Sequence, residues 1–246
     1  MRKILAICGL GFCLVPVMLG QNDIAPEALL SDSRQLIVVT TSDWKAISGS
    51  LQRYERTAGS EPWRTIGDPI PVVVGKGGMG WGIGNHPARD PVKQEGDGRS
   101  PAGIFRLGTA FGYAPSQSAT TKMPYLSLTP DTECVDDSRS SYYNRIVERS
   151  AVTPDWSSSE HMRSIAEYRW GLAIDHNPHA RPLAGSCVFL HIWDGAGQGT
   201  SGCTAMAQPW IETVLHWLDP ASQPLLVQMP LPEYRLRQKN LLPPHE

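Results

Sequence analysis

The sequence predicts a mostly-β domain, a sandwich or barrel with a few helices, and three observations carry that expectation. The chain holds 23 glycines and 21 prolines in 246 residues, a share that favours strands and turns over long helices. Its hydrophobic residues, 41% against 19% charged, fall in short runs between Gly/Pro clusters. The clearest helical period is brief and begins only near Pro209. A helical bundle, a coiled coil and a mostly disordered chain are thereby excluded. The formal net charge of −2 leaves no electrostatic footprint for nucleic acid.

Arg2 and Lys3 precede an apolar stretch with no further charge until Asp23, which reads as a signal peptide over residues 1–20, cleaved after Gly20. The alternative is an uncleaved anchor. A spanning helix needs about 20 apolar residues, and this stretch is shorter and contains Pro16. Contact with a membrane is therefore expected only through this segment, if it stays attached. Residues 36–41 (LIVVTT) form a β-rich run. Residues 50–56 are expected to return beside it after a Ser48-Gly49 turn, and 69–74 (PIPVVV) to extend a β-meander.

Residues 157–169 are a helix candidate, because Ser157 and Glu160 have capping-box spacing. WGLAID at 170–175 and CVFLHIW at 187–193 read as buried strands. The helix from Pro209 places Ile211, Val214, Leu215 and Leu218 on one face, and Asp219-Pro220 stops it. From Pro230 onward, Pro232, Pro243 and Pro244 are mixed with several charged residues, which predicts a loose tail over 229–246. No repeat or linker divides the chain between.

Two motifs yield to simpler readings. Residues 75–80 (GKGGMG) satisfy GxGxxG after a strand, but the following WGIGNHP cannot open the helix that a dinucleotide site needs. A tight glycine loop is expected there, and no nucleotide. His176 and His179 have HxxH spacing, but Pro178 breaks the helix that would align them as metal ligands. No metal or other cofactor is expected. Asp175-His176-Asn177 either borders a site or supplies turn chemistry.

Loss of the leader removes Cys8 and Cys13 and leaves Cys134, Cys187 and Cys203. In an oxidising compartment this odd count implies one free thiol beside a candidate disulfide, with the free one still open. The strongest constellation spans CVFLHIWDGAGQGTSGCTAM. A strand carries His191, a loop with Gly195, Gly197 and Gly199 follows, and Thr200-Ser201-Gly202-Cys203 closes it. A cysteine nucleophile needs a base or cation nearby to form its thiolate, and histidine titrates near neutrality. The adjacent glycine lets backbone N–H groups face a carbonyl under attack. Local spacing alone leaves a buried thiol and a structural histidine equally open.

These residues resemble the YkuD-type L,D-transpeptidase family, whose motif is a histidine, a variable loop and [S/T]-x-G-C. His191 and Thr200-Ser201-Gly202-Cys203 match it, and Pro101, Gly103 and Phe105 resemble its Pro-x-Gly-x-Phe segment. Ser201 replaces the histidine common before Gly-Cys, and Ala205 stands where many members carry Arg or Asn.

The resemblance implies a catalytic domain over 36–228 in the periplasm or cell wall, acting on peptidoglycan stem peptides. Cys203 would be the nucleophile and His191 the general base and acid, oriented by a backbone carbonyl after it. The amides of Gly202 and Cys203 are the expected oxyanion hole, and Thr200, Ser201, His176 and Arg99 the expected substrate contacts, with Arg106 an alternative reader of stem carboxylates. With Cys203 free, the resemblance leaves Cys134 and Cys187 to pair. The products implied are 3→3 cross-links or related amide exchange. The rivals are an L,D-carboxypeptidase or endopeptidase on the same site, and a non-catalytic wall-binding module.

Overall fold

The computed structural model describes residues 26–84, 86, 89–115 and 121–244, and the expected signal segment lies outside them. In chain order the elements are α1 (Pro26–Asp32), β1 (Gln35–Thr41), β2 (Ser48–Glu55), β3 (Arg64–Val73), β4 (Met79–Trp81) and β5 (Ser100–Gly112). Then follow β6 (Tyr125–Ser127), β7 (Thr132–Val135), β8 (Ile146–Glu148), β9 (Ser159–His161), β10 (Trp170–Ile174) and β11 (Phe189–Ile192). β12 (Thr204–Met206), α2 (Gln208–Trp217), β13 (Leu225–Pro230) and α3 (Leu231–Leu241) complete the chain.

Eight strands close into a barrel in the order β10-β11-β12-β3-β2-β1-β13-β5, with β5 pairing back onto β10. Closure leaves the barrel without a free edge. β4 and β6 pair alongside β5, and a separate small sheet runs β8-β7-β9. The meander holds only for β1-β2-β3. β3 next meets β12, and β1–β13 and β11–β12 are parallel pairs that need crossovers.

β1 is buried along its whole length, which is why it reads as an unbroken apolar run. α2 lies over β10 and β11 with Ile211, Val214 and Leu215 turned inward, as the periodicity predicts. A second buried cluster, including Cys134, Met162, Tyr168, Phe189 and Cys203, joins the small sheet to the barrel.

Three expectations are corrected. Ser48 and Gly49 are not a turn: they already pair with Val73 and Val72, and the reversal comes earlier, where Asp43 Oδ1 accepts the Lys45 and Ala46 N–H groups. Residues 157–169 form β9 and two short 3₁₀ turns, 162–164 and 166–169, instead of one helix. The capping groups are diverted to tertiary partners. Ser157 Oγ donates to Asp137 Oδ2 at 2.7 Å, and Glu160 Oε2 accepts from Tyr168 at 2.7 Å.

The tail is not loose either. α3 follows β13 directly, with Pro232 in the first turn where proline is tolerated, and packs on β13, β1 and α1. Tyr234 is 0% exposed, and its hydroxyl donates to Pro243 O at 2.7 Å. Tyr234→Ala should therefore cost about 3 kcal/mol, read as a lower urea midpoint. An unchanged midpoint would return the segment to the status of a tail.

Candidate active site: a buried thiol in an acid-lined cavity

Backbone contacts place the Thr200–Cys203 loop. Thr200 N–H donates to Val74 O at 3.0 Å, and Lys76 N–H donates to Thr200 O at 2.8 Å, stitching the loop to the glycine stretch at 75–80. A Cβ on Gly75 would lie 2.2 Å from Gly98 O, so that stretch is glycine for close backbone approach. Two hydroxyls, Ser100 Oγ at 2.7 Å and Thr200 Oγ1 at 2.6 Å, donate to the Cys203 carbonyl. Ser100 opens β5, so the two segments that carry the family resemblance meet at this oxygen.

Cys203 is 7% exposed and lines a cavity of about 530 Å³ that His191, Thr200, Ser201 and Gly202 also line. Phe189 N–H donates to Sγ at 3.3 Å, the thiol donates to Cys187 O at 3.4 Å, and the Tyr168 hydroxyl is a further partner of the sulfur. Burial pushes the thiol up to about 12, and the Glu160 charge adds to this. Phe189 N–H, Lys93 and Tyr168 oppose it.

His191, also 7% exposed, is the next-to-last residue of β11. Its Nδ1 lies 2.7 Å from Ile192 O, and a carbonyl can only accept, so Nδ1 carries the hydrogen and Nε2 the lone pair. The orienting backbone carbonyl is thus the next residue's own. Burial lowers the imidazole to about 4, so thiol and imidazole rest neutral. No hydrogen bond joins them among the described residues. Cys134 and Cys187 form a disulfide and Cys203 is free, which ties β7 to the segment just before β11.

Other expected residues are placed differently. Gly202, at φ +152°, keeps a backbone that L side chains avoid, but its N–H donates to Thr200 Oγ1 at 3.1 Å. The Cys203 N–H has no acceptor among the described residues, so of the two amides expected to form an oxyanion hole only that one is uncommitted. Arg99 does not line the cavity; its side chain runs along Gly77 and Gly80. Arg106 lines a separate cavity with Asp175.

His176 is buried outside the thiol cavity. Its Nδ1 accepts from Ile83 N–H at 3.2 Å, and Nε2 therefore donates to Ala184 O at 3.0 Å. Both ring nitrogens are committed, which leaves neither for substrate or metal. Asn177 binds Arg181 and Gly185 backbone, so this tripeptide supplies turn chemistry.

Sequence reasoning missed Lys93, Tyr168, Glu160, Asp136 and Glu95, all of which line the cavity. Lys93 is 4% exposed and donates to Asp97 Oδ1 and Gln94 O, both at 2.8 Å. Its i, i+4 spacing to Asp97 was the one signal available. Tyr168 packs edge-on against His191 with centroids 5.2 Å apart. The chain matches no family model, no curated protein and no solved structure.

Burial holds His86, His176 and His191 each at about 4. The unfolded chain protonates all three near 6.5, so between pH 6.5 and 4 it binds more protons and stability rises with pH. Glu160, pushed up to about 7 by burial, opposes with a single group. Stability should fall by about 2 kcal/mol per pH unit on acidification near pH 5.5, measured by urea titration. A flat profile would show that these imidazoles protonate freely in the folded state.

Proposed function

We propose that this chain is an exported thiol acyltransferase acting on peptidoglycan stem peptides as an L,D-transpeptidase. One observation carries the reading: a free thiol shares a cavity with a histidine whose Nδ1–H is tied to a carbonyl, leaving Nε2 to accept a proton. The His191 and Thr-Ser-Gly-Cys pattern names the substrate class by resemblance. The disulfide suits an oxidising compartment and so suits export.

The reaction runs in two halves. Cys203 Sγ attacks the carbonyl between the third residue and the terminal D-amino acid while its proton passes to His191 Nε2. The Cys203 N–H donates to the developing oxyanion, and Phe189 N–H stabilises the charge that develops on the sulfur as its proton leaves. The C–N bond breaks as His191 returns the proton to the leaving amine. The thioester then passes its acyl group to an amine of a second stem, or to water.

Because thiol and imidazole both rest neutral, the proton leaves the thiol for Nε2 only as the C–S bond forms, with bound substrate bringing the groups into line. Purified disaccharide-tetrapeptides should yield a cross-linked dimer with loss of one D-alanine, seen by mass spectrometry. Cys203→Ala should abolish it, and His191→Gln should slow it by about 10²-fold or more. Tripeptide without dimer would make the enzyme a carboxypeptidase. No turnover and no acyl-enzyme adduct in the wild type would leave only a wall-binding role, and unchanged turnover in Cys203→Ala would remove Cys203 as the nucleophile.

A further inference from the structure

We infer that Glu160, held by Tyr168, takes the proton of an incoming amine and so directs the acyl group on Cys203 to that amine rather than to water. The inference rests on the acyltransferase reading above and concerns its second half. Tyr168 is buried, donates its hydroxyl proton to Glu160 Oε2 at 2.7 Å, and touches both the Cys203 sulfur and the His191 ring. Glu160 is thereby fixed one side chain from the reacting sulfur.

Its other oxygen, Oε1, has no hydrogen-bond partner among the described residues. In the same cavity, Asp136 Oδ1 is buried and also without a partner. A buried carboxylate oxygen without a donor is costly, and an alkylammonium brings three N–H donors. The cavity wall carries Glu95, Asp136, Glu160, Glu167 and Asp194 against the single ammonium of Lys93, which Asp97 already pairs. Its charge therefore suits a cation.

The step balances. The ammonium gives one proton to the Glu160 carboxylate, and the freed nitrogen lone pair forms the new C–N bond. The C–S bond breaks, its electron pair returns to Sγ, and the thiolate takes the second nitrogen proton. Glu160 then releases its proton to solvent. Burial and the neighbouring Asp136 and Glu95 charges push Glu160 up to about 7, near the value a base needs at neutral pH, whereas His191 stays at about 4.

Two readouts on the full chain test this. With disaccharide-tetrapeptides, the dimer-to-tripeptide ratio should fall about tenfold or more in Glu160→Gln, as tripeptide replaces dimer. Glu160→Asp should restore part of it. In wild type the ratio should rise through pH 7 and be flat in Glu160→Gln. Tyr168, a positioning residue, should move this midpoint in Tyr168→Phe. A ratio unchanged in Glu160→Gln overturns the inference.

The second readout needs no peptidoglycan. Cys203 should react with cationic 2-aminoethyl methanethiosulfonate about tenfold faster than with neutral methyl methanethiosulfonate, relative to free cysteine. Glu160→Gln and Asp136→Asn should each lower that preference severalfold. No preference in wild type overturns the inference, whatever the muropeptides do. A preference without muropeptide turnover overturns the peptidoglycan reading and keeps the amine site.

Discussion

The place of the Cys203 sulfur depends on its own carbonyl. Ser100, at the start of β5, and Thr200, in the loop after β11, both donate their hydroxyls to that one oxygen. Ser100 Oγ in turn accepts the Gly75 N–H at 2.9 Å, and Thr200 is bridged to Gly75. Two segments therefore meet at one atom with a third, at Gly75, bonded behind them, and this arrangement requires glycine at 75 because any side chain would strike Gly98 O. A residue in a loop gains the rigidity of a barrel strand. That is what a nucleophile needs if its geometry is to hold to a fraction of an ångström.

Burial sets the chemistry of what is held there. A thiol pushed to about 12 and an imidazole held at about 4 form a pair at rest in their neutral states. A buried ion pair would carry a desolvation cost that the neutral pair avoids. The small sheet contributes the rest of the electrostatics. β9 brings Glu160, and Asp136 follows β7 directly. The Cys134–Cys187 disulfide fastens that sheet beside the carbonyl that accepts the thiol's hydrogen bond. The acidic wall and the free thiol are thus parts of one packed unit, sharing the buried cluster around Tyr168 and Phe189.

The misreadings have a common cause. Ser157 and Glu160 have the spacing of a helix start, but in the fold each finds a stronger partner across the chain, Asp137 and Tyr168. The prolines after Pro230 read as breakers, yet Pro232 sits where a helix loses nothing by lacking an N–H. Arg99 lies two residues from the Pro-x-Gly-x-Phe segment but turns along the glycine loop, away from the cavity. In each instance a local pattern allows two outcomes and long-range packing selects one.

The gathering of His191 with Thr200–Cys203 was implied by the family resemblance, and the mostly-β class, the strands at 36–41 and 170–175 and the helix after Pro209 were determined by sequence alone. Each rests on periodicity or on short loops, which act over a few residues. Only the tertiary structure decided that the sheet closes, that Gly202 gives its amide to Thr200, and that Glu160, Tyr168 and Lys93 surround the sulfur. Those residues lie between 35 and 110 positions from Cys203 in the chain. No local period connects them, because what brings them together is closure of β5 onto β10 and burial of the cluster between barrel and small sheet.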